Sequence, residues 1–218
     1  DAHADTFRNR QFPDLLDGSV KTVVGFQEIS DGNRYLLTTS GVYFCDTKSG
    51  SFAEKAPISD STNRYFVESF YRDKNGNFWV GAFDGLHLLS PTGSHLRYFS
   101  LGKDDKISAT SILEMDQNHI LVASNVGSLW LFELDETGNV RMDKKLDSEF
   151  RNVSVMMKDK KGRIWLGTWG YGLWRMDTRF SFRRMAPYNG GESLQKIHSL
   201  FQDRAGNVWI GTQNSGLW

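Results

Sequence analysis

The sequence predicts an all-β chain, a β-propeller region of about five four-stranded blades and not a helical array of the same period.

 Three observations carry that expectation: a set of marks at near-constant spacing, short strand-like segments between turn residues within each copy, and no apolar series at helical spacing.

The marks are nearly identical strings. Asp73-Lys-Asn-Gly76-Asn-Phe-Trp79-Val-Gly81 is matched by Asp159-Lys-Lys-Gly162-Arg-Ile-Trp165-Leu-Gly167-Thr168 and by Asp203-Arg-Ala-Gly206-Asn-Val-Trp209-Ile-Gly211-Thr212. Each closes on Gly-Leu, at Gly85-Leu86, Gly172-Leu173 and Gly216-Leu217. Weaker copies run from Gly32 through Tyr35 to Gly41-Val42, and from Asp116 through Leu121 to Gly127. The closing glycines stand at 41, 85, 127, 172 and 216, at spacings of 44, 42, 45 and 44. Within a copy the segments are short, β-branched or aromatic, and bounded by Gly and Asp, which favours blades over paired helices.

Each element has a local reason. In the best copy the first strand is expected over 153–157, the second over 163–168, the third over 172–176 and the fourth over 180–185. Asp-x-x-Gly makes the turn between the first and second strands: the carboxylate accepts backbone N–H bonds and Gly supplies positive φ. Trp79, Trp165 and Trp209 are expected between neighbouring blades. The Gly after each leaves room for another backbone, and the closing Gly turns the hairpin into the third strand.

These repeats place the chain in one propeller region over 1–218, with copies near 20–57, 65–100, 107–147, 153–187 and 196–218. Residues 6–12 read as a fourth strand without a preceding three, either closing the last blade or orphaned from another. The stop at Trp218, inside a motif, leads to the expectation that the chain is part of a larger, seven-bladed array.

Composition narrows the function classes. Lys plus Arg and Asp plus Glu are 26 each, so the net charge is zero and nothing global draws the chain to nucleic acid or anionic lipid. The basic, aromatic run Arg179-Phe-Ser-Phe-Arg183-Arg184 is explained by alternation on an outer strand. Cys45 is the only cysteine, which excludes an intrachain disulfide and a cysteine-based zinc cluster. The longest apolar runs are a few residues, too short for a membrane-spanning helix.

Chemistry-bearing residues are sparse. The histidines, His3, His87, His95, His119 and His198, show no metal-ligand spacing, so no metal or cofactor is expected; His198 lies on a first strand. Asp104, Asp105, Glu133, Asp135 and Glu136 read as loop carboxylates, and Thr110, Ser154 and Ser199 lack a nucleophile elbow. No catalytic residue is assigned. The candidate ligand site is instead the set of hairpins between second and third strands, where the copies differ: Phe83, Asp84, Asn125, Trp169, Tyr171, Gln213 and Asn214. The same point in successive repeats falls on one rim of a propeller. Aromatic rings stack on the apolar faces of sugars, and amides and carboxylates bond hydroxyls.

The string Asp-x-x-Gly-x-Ile/Val-Trp-x-Gly-Thr-x-x-x-Gly-Leu-Trp resembles the two-component regulator propeller repeat, closely around Trp79, Trp165 and Trp209 and loosely around Tyr35 and Leu121. The resemblance implies the periplasmic sensor region of a hybrid two-component system of Bacteroidetes. In such systems propellers precede a β-sandwich, a membrane helix, a histidine kinase and a response regulator. It implies an oligosaccharide or other small ligand derived from glycans, a homodimer formed through the parent receptor, attachment to the membrane only through that parent, and no catalysis by this chain itself. A propeller enzyme, such as a glycoside hydrolase or lyase, and a protein-interaction scaffold remain the alternatives.

Overall fold

A computed structural model describes residues 23–28, 34–38, 41–46, 51–56, 67–89, 96–102, 107–186 and 194–218. The chain divides into two compact units, Asp1–Arg64 and Tyr65–Trp218. The expected strand at 6–12, His3, His95, Asp104 and Asp105 lie outside the described residues.

In the first unit β1 (Val23–Glu28), β2 (Arg34–Thr38), β3 (Gly41–Asp46) and β4 (Ser51–Ala56) pair in chain order as an antiparallel sheet. Tyr35 faces Phe44 across β2 and β3, with ring centroids 5.7 Å apart.

The second unit repeats that plan. β5 (Val67–Arg72), β6 (Phe78–Ala82), β7 (Gly85–Leu89) and β8 (Leu96–Phe99) form one sheet, and β9 (Ala109–Asp116), β10 (His119–Ser124), β11 (Leu129–Leu134) and β12 (Val140–Leu146) the next. β13 (Val153–Lys158), β14 (Ile164–Thr168), β15 (Leu173–Met176) and β16 (Phe182–Met185) form a third. β17 (Ile197–Gln202) and β18 (Val208–Thr212) pair with each other, and Trp218 exchanges two backbone hydrogen bonds with Ile210 at the third-strand position. All the described elements are strands, as the repeat pattern predicts.

The second strands are buried along their length, at Phe78–Ala82 and Ile164–Thr168. Their alternate side chains enter the clusters between sheets, so they read as continuous apolar runs. Trp79 is fully buried, stacked on Phe99 and tilted against Phe132 of the neighbouring sheet. Gly81 is required by close approach: a Cβ there would lie 2.2 Å from the Ala109 carbonyl oxygen on the next sheet.

The turn aspartates do more than the expected turn. Asp159 Oδ1 accepts the N–H groups of Lys161 and Arg163, while Oδ2 accepts Arg163 Nε and the Trp165 indole N–H at 2.9 Å. Gly162 holds the turn at φ 76°. The carboxylate therefore ties the hairpin to the tryptophan six residues on, and Asp73–Trp79 and Asp203–Trp209 repeat the link at 3.0 Å. A variant of the turn delays β16 from the expected 180 to Phe182: Asp177 caps Arg179 and Ser181, and Phe180 takes φ 62°.

These bonds make acid stability a readout of the repeat. Burial acts to raise the Asp159 carboxyl, but the bonds from Trp165, Arg163 and Lys161 outweigh it and hold it below the ordinary aspartate value. Asn207 and Trp209 hold Asp203 down at about 2. A depressed carboxyl contributes stability that is complete above the unfolded value and is lost as pH falls through the folded one. The melting temperature should thus stay level from about pH 7 to 5 and fall between about pH 4 and 2. Asp159→Asn should start lower and fall less steeply over that window; a melting curve unchanged down to about pH 2 would contradict the assignment.

Tertiary placement departs from expectation at one tryptophan. Trp209 is 41% exposed, whereas Trp79 and Trp165 are buried. In the described residues β18 belongs to the last sheet, and the indole lacks the neighbouring-sheet cover that Phe132 gives Trp79.

Candidate functional site

The site begins with an irregularity shared by the first strands. β5, β9, β13 and β17 run side by side. In each, one residue is added relative to its partner strand. Val67 and Ser69 pair with the consecutive Ala82 and Gly81, leaving Glu68 between them. Thr110 is left out between Ala109 and Ser111, Ser154 between Val153 and Val155, and His198 between Ile197 and Ser199. A β-bulge bends the strand and re-aims the extra side chain.

The four re-aimed residues, Glu68, Thr110, Ser154 and His198, line one open cleft of about 510 Å³. Asn125, Asn152, Val153 and Trp169 complete its wall. The residues before the bulges, Val67, Ala109, Val153 and Ile197, are buried and fix the strands in the core.

Hydroxyl groups clasp three of the four bulges to the next sheet. Ser69 Oγ donates to the Ala109 carbonyl at 2.8 Å, Thr110 Oγ1 to that of Val153 at 2.5 Å, and Ser154 Oγ to that of Ile197. Backbone bonds brace the rim: Asn125 N–H donates to Ser108 O, Asn152 N–H to Asn125 O, and Trp169 N–H to Asn152 O. Asn152 sits at φ 54°, a left-handed conformation that asparagine tolerates better than most residues. The Trp169 ring meets His198 edge to face, with centroids 5.1 Å apart, and stays 43% exposed. Glu68 is exposed at the cleft, yet partial desolvation raises its carboxyl above the ordinary glutamate value, against the lowering effect of a hydrogen bond from Ser108.

The cleft brings together two of the hairpin residues expected to bind, Asn125 and Trp169. Phe83 and Tyr171 are exposed on their turns, outside the cleft lining. Asp84 is engaged within its own hairpin, its carboxylate 2.9 Å from His87 Nε2 and its carbonyl accepting the Tyr98 hydroxyl. Gln213 and Asn214 are exposed beyond β18, with Gln213 N–H donating to Lys196 O. Of the lining residues outside the hairpins, Asn152 carries no spacing signal, but the bulge residues do. Glu68, Ser154 and His198 each stand five residues before the turn aspartate, and Thr110 stands six before Asp116, where β9 has a second register shift. Among the described residues no three His, Cys, Asp or Glu side chains gather as a metal site requires.

The cleft thus sets Trp and Asn side chains beside the bulge residues of a propeller fold. Residues 60–84, 149–170 and 191–214 match the family described as two component regulator propeller, so the chain carries those repeats. No curated protein matches it. Among solved structures it is similar to the extracellular domain of a B. thetaiotaomicron protein described as a one component system, at 17% identity and TM-score 0.53, over 88% of this chain and 33% of that one. It is similar also to PorZ, a surface component of the type-IX secretion system of Porphyromonas gingivalis, at 16% identity and TM-score 0.66, over 89% of this chain and 31% of that one. Virginiamycin B lyase from Staphylococcus aureus gives 11% identity and TM-score 0.68, over 93% of this chain and 71% of the lyase. At these identities the likeness establishes the propeller fold alone. The chain spans about a third of the first two structures.

Proposed function

We propose that this chain is the ligand-sensing propeller of an extracytoplasmic receptor in a two-component pathway, and that its cleft binds oligosaccharides released from glycans. The observation that carries the reading is the exposed Trp169 ring set beside Asn125, Asn152 and Glu68 at one cleft. An indole face with amides and a carboxylate around it suits a sugar ring, apolar on its faces and hydroxylated at its edge. The matching repeats support the sensor role, and the similar extracellular domain supports a location outside the cytoplasm. In such a receptor the chain would act in a homodimer, through the parent protein that also supplies the membrane anchor.

Titration calorimetry of the chain against oligosaccharide fragments of plant and host glycans tests the proposal. Saturable binding by one glycan class, with the fragment recovered unchanged, is the expected result. A panel without any binder overturns it. Conversion of a fragment would favour an enzyme instead, for which Glu68 and His198 at the same cleft would be the acid–base candidates.

A further inference from the structure

We infer that the bulge residues Glu68, Thr110, Ser154 and His198 set the chemical class the cleft accepts, and that this class is neutral or cationic and rich in hydrogen-bond donors, with anions rejected at Glu68. The inference rests on the reading that the cleft is the ligand site.

Position comes first. A bulge side chain is left out of the pairing of its strand, while the buried residue before it holds the core. Substitution at the bulge therefore changes the cleft wall without opening the sheet.

Proton accounting comes second. The hydroxyl protons of Thr110 and Ser154 are spent on the carbonyls of Val153 and Ile197. Each oxygen then meets a ligand with lone pairs only. The Ser108 hydroxyl is bonded to the Glu68 carboxylate, which keeps further lone pairs free. The nearby backbone N–H groups of Asn125, Asn152 and Trp169 are spent along the rim. The donors left in the wall are the side-chain amides of Asn125 and Asn152, the Trp169 indole N–H and the His198 ring.

Charge comes third. The wall contains one carboxylate and neither Lys nor Arg. An entering anion would shed water and meet a like charge without a cation to offset it. An ammonium group would meet both the carboxylate and the indole face of Trp169.

A quenching experiment reads this without any sugar. Trp169 emission is isolated as the difference between the wild-type chain and Trp169→Phe, at about pH 8 so that carboxylates are ionised. Quenching by caesium and by iodide is normalised to free tryptophan amide. The caesium-to-iodide ratio should exceed that of the free compound by about threefold, fall to about one in Glu68→Gln, and fall below one in Glu68→Lys. Iodide matching or exceeding caesium in the wild type overturns the inference, as does a ratio that Glu68→Gln leaves unchanged. Matched oligosaccharides carrying hexose, 2-amino-hexose or hexuronate units give the second arm. The uronate should bind about tenfold more weakly than the other two. Uronate binding of equal strength overturns the inference and leaves the sugar reading standing. No sugar binding with the caesium preference intact overturns the sugar reading and leaves the inference standing.

Discussion

Replacing Trp79 with alanine should lower the unfolding free energy by about 3–5 kcal/mol, and the same change at Trp209 by about 1 kcal/mol. The two residues occupy the same motif position, so their difference isolates what the neighbouring sheet contributes. Trp79 is fully buried, its ring packs on both Phe99 and Phe132, and its indole N–H is bonded to Asp73. Alanine removes the ring, leaves a cavity among Leu86, Leu88 and Phe132, and takes a donor from a buried carboxylate. Trp209 keeps the bond to Asp203 but is 41% exposed, so much less apolar area is at stake. Trp165, buried beside Ile197 and Ile210, should fall near Trp79. Trp79→Phe separates the terms: it retains most of the packing and loses the indole donor, at about 1–2 kcal/mol. Urea titrations at constant slope check the series. Equal losses at the three positions would mean that the turn, and not the contact between sheets, dominates.

The repeats were legible because their determinants are local. Asp159, Gly162 and Trp165 act within seven residues of one another, so their spacing in the sequence is their spacing in the hairpin. Gly81 was legible for a related reason: its identity records a steric limit imposed by Ala109. The cleft was harder to read because a bulge is a property of two strands compared. Nothing in the string Val67-Glu68-Ser69 marks Glu68 as unpaired until the register with Gly81 and Ala82 is known. Exposure of Trp209 was hidden too, since it depends on what lies beyond its own sheet. Asp84 shows the limit of a hairpin argument. It has the chemistry for a ligand and sits at the expected turn, yet His87 of the next strand holds its carboxylate. Asn125 and Trp169 were found because their hairpins lie against the first strands of their own sheets, through the bonds to Ser108 and Asn152.

Trp169→Ala should weaken binding of the cognate oligosaccharide by about tenfold or more while shifting the melting temperature little. The split follows from how the residue is held. Its backbone N–H bond to Asn152 survives the substitution, so the rim keeps its shape. Its side chain is 43% exposed and meets the exposed His198 ring edge to face, so removing it opens no closed cavity. The wall meanwhile loses its one large aromatic face. Trp169→Phe should recover part of the affinity, because a smaller ring can still stack. Asp84→Asn serves as the contrast. It should reduce stability through the lost charge on the His87 bond and leave binding unchanged, since Asp84 lies outside the cleft lining. Calorimetric titration and thermal melting on the same samples decide the matter. A Trp169→Ala chain that melts well below the wild type and binds with full affinity would make Trp169 a packing residue and place the ligand elsewhere.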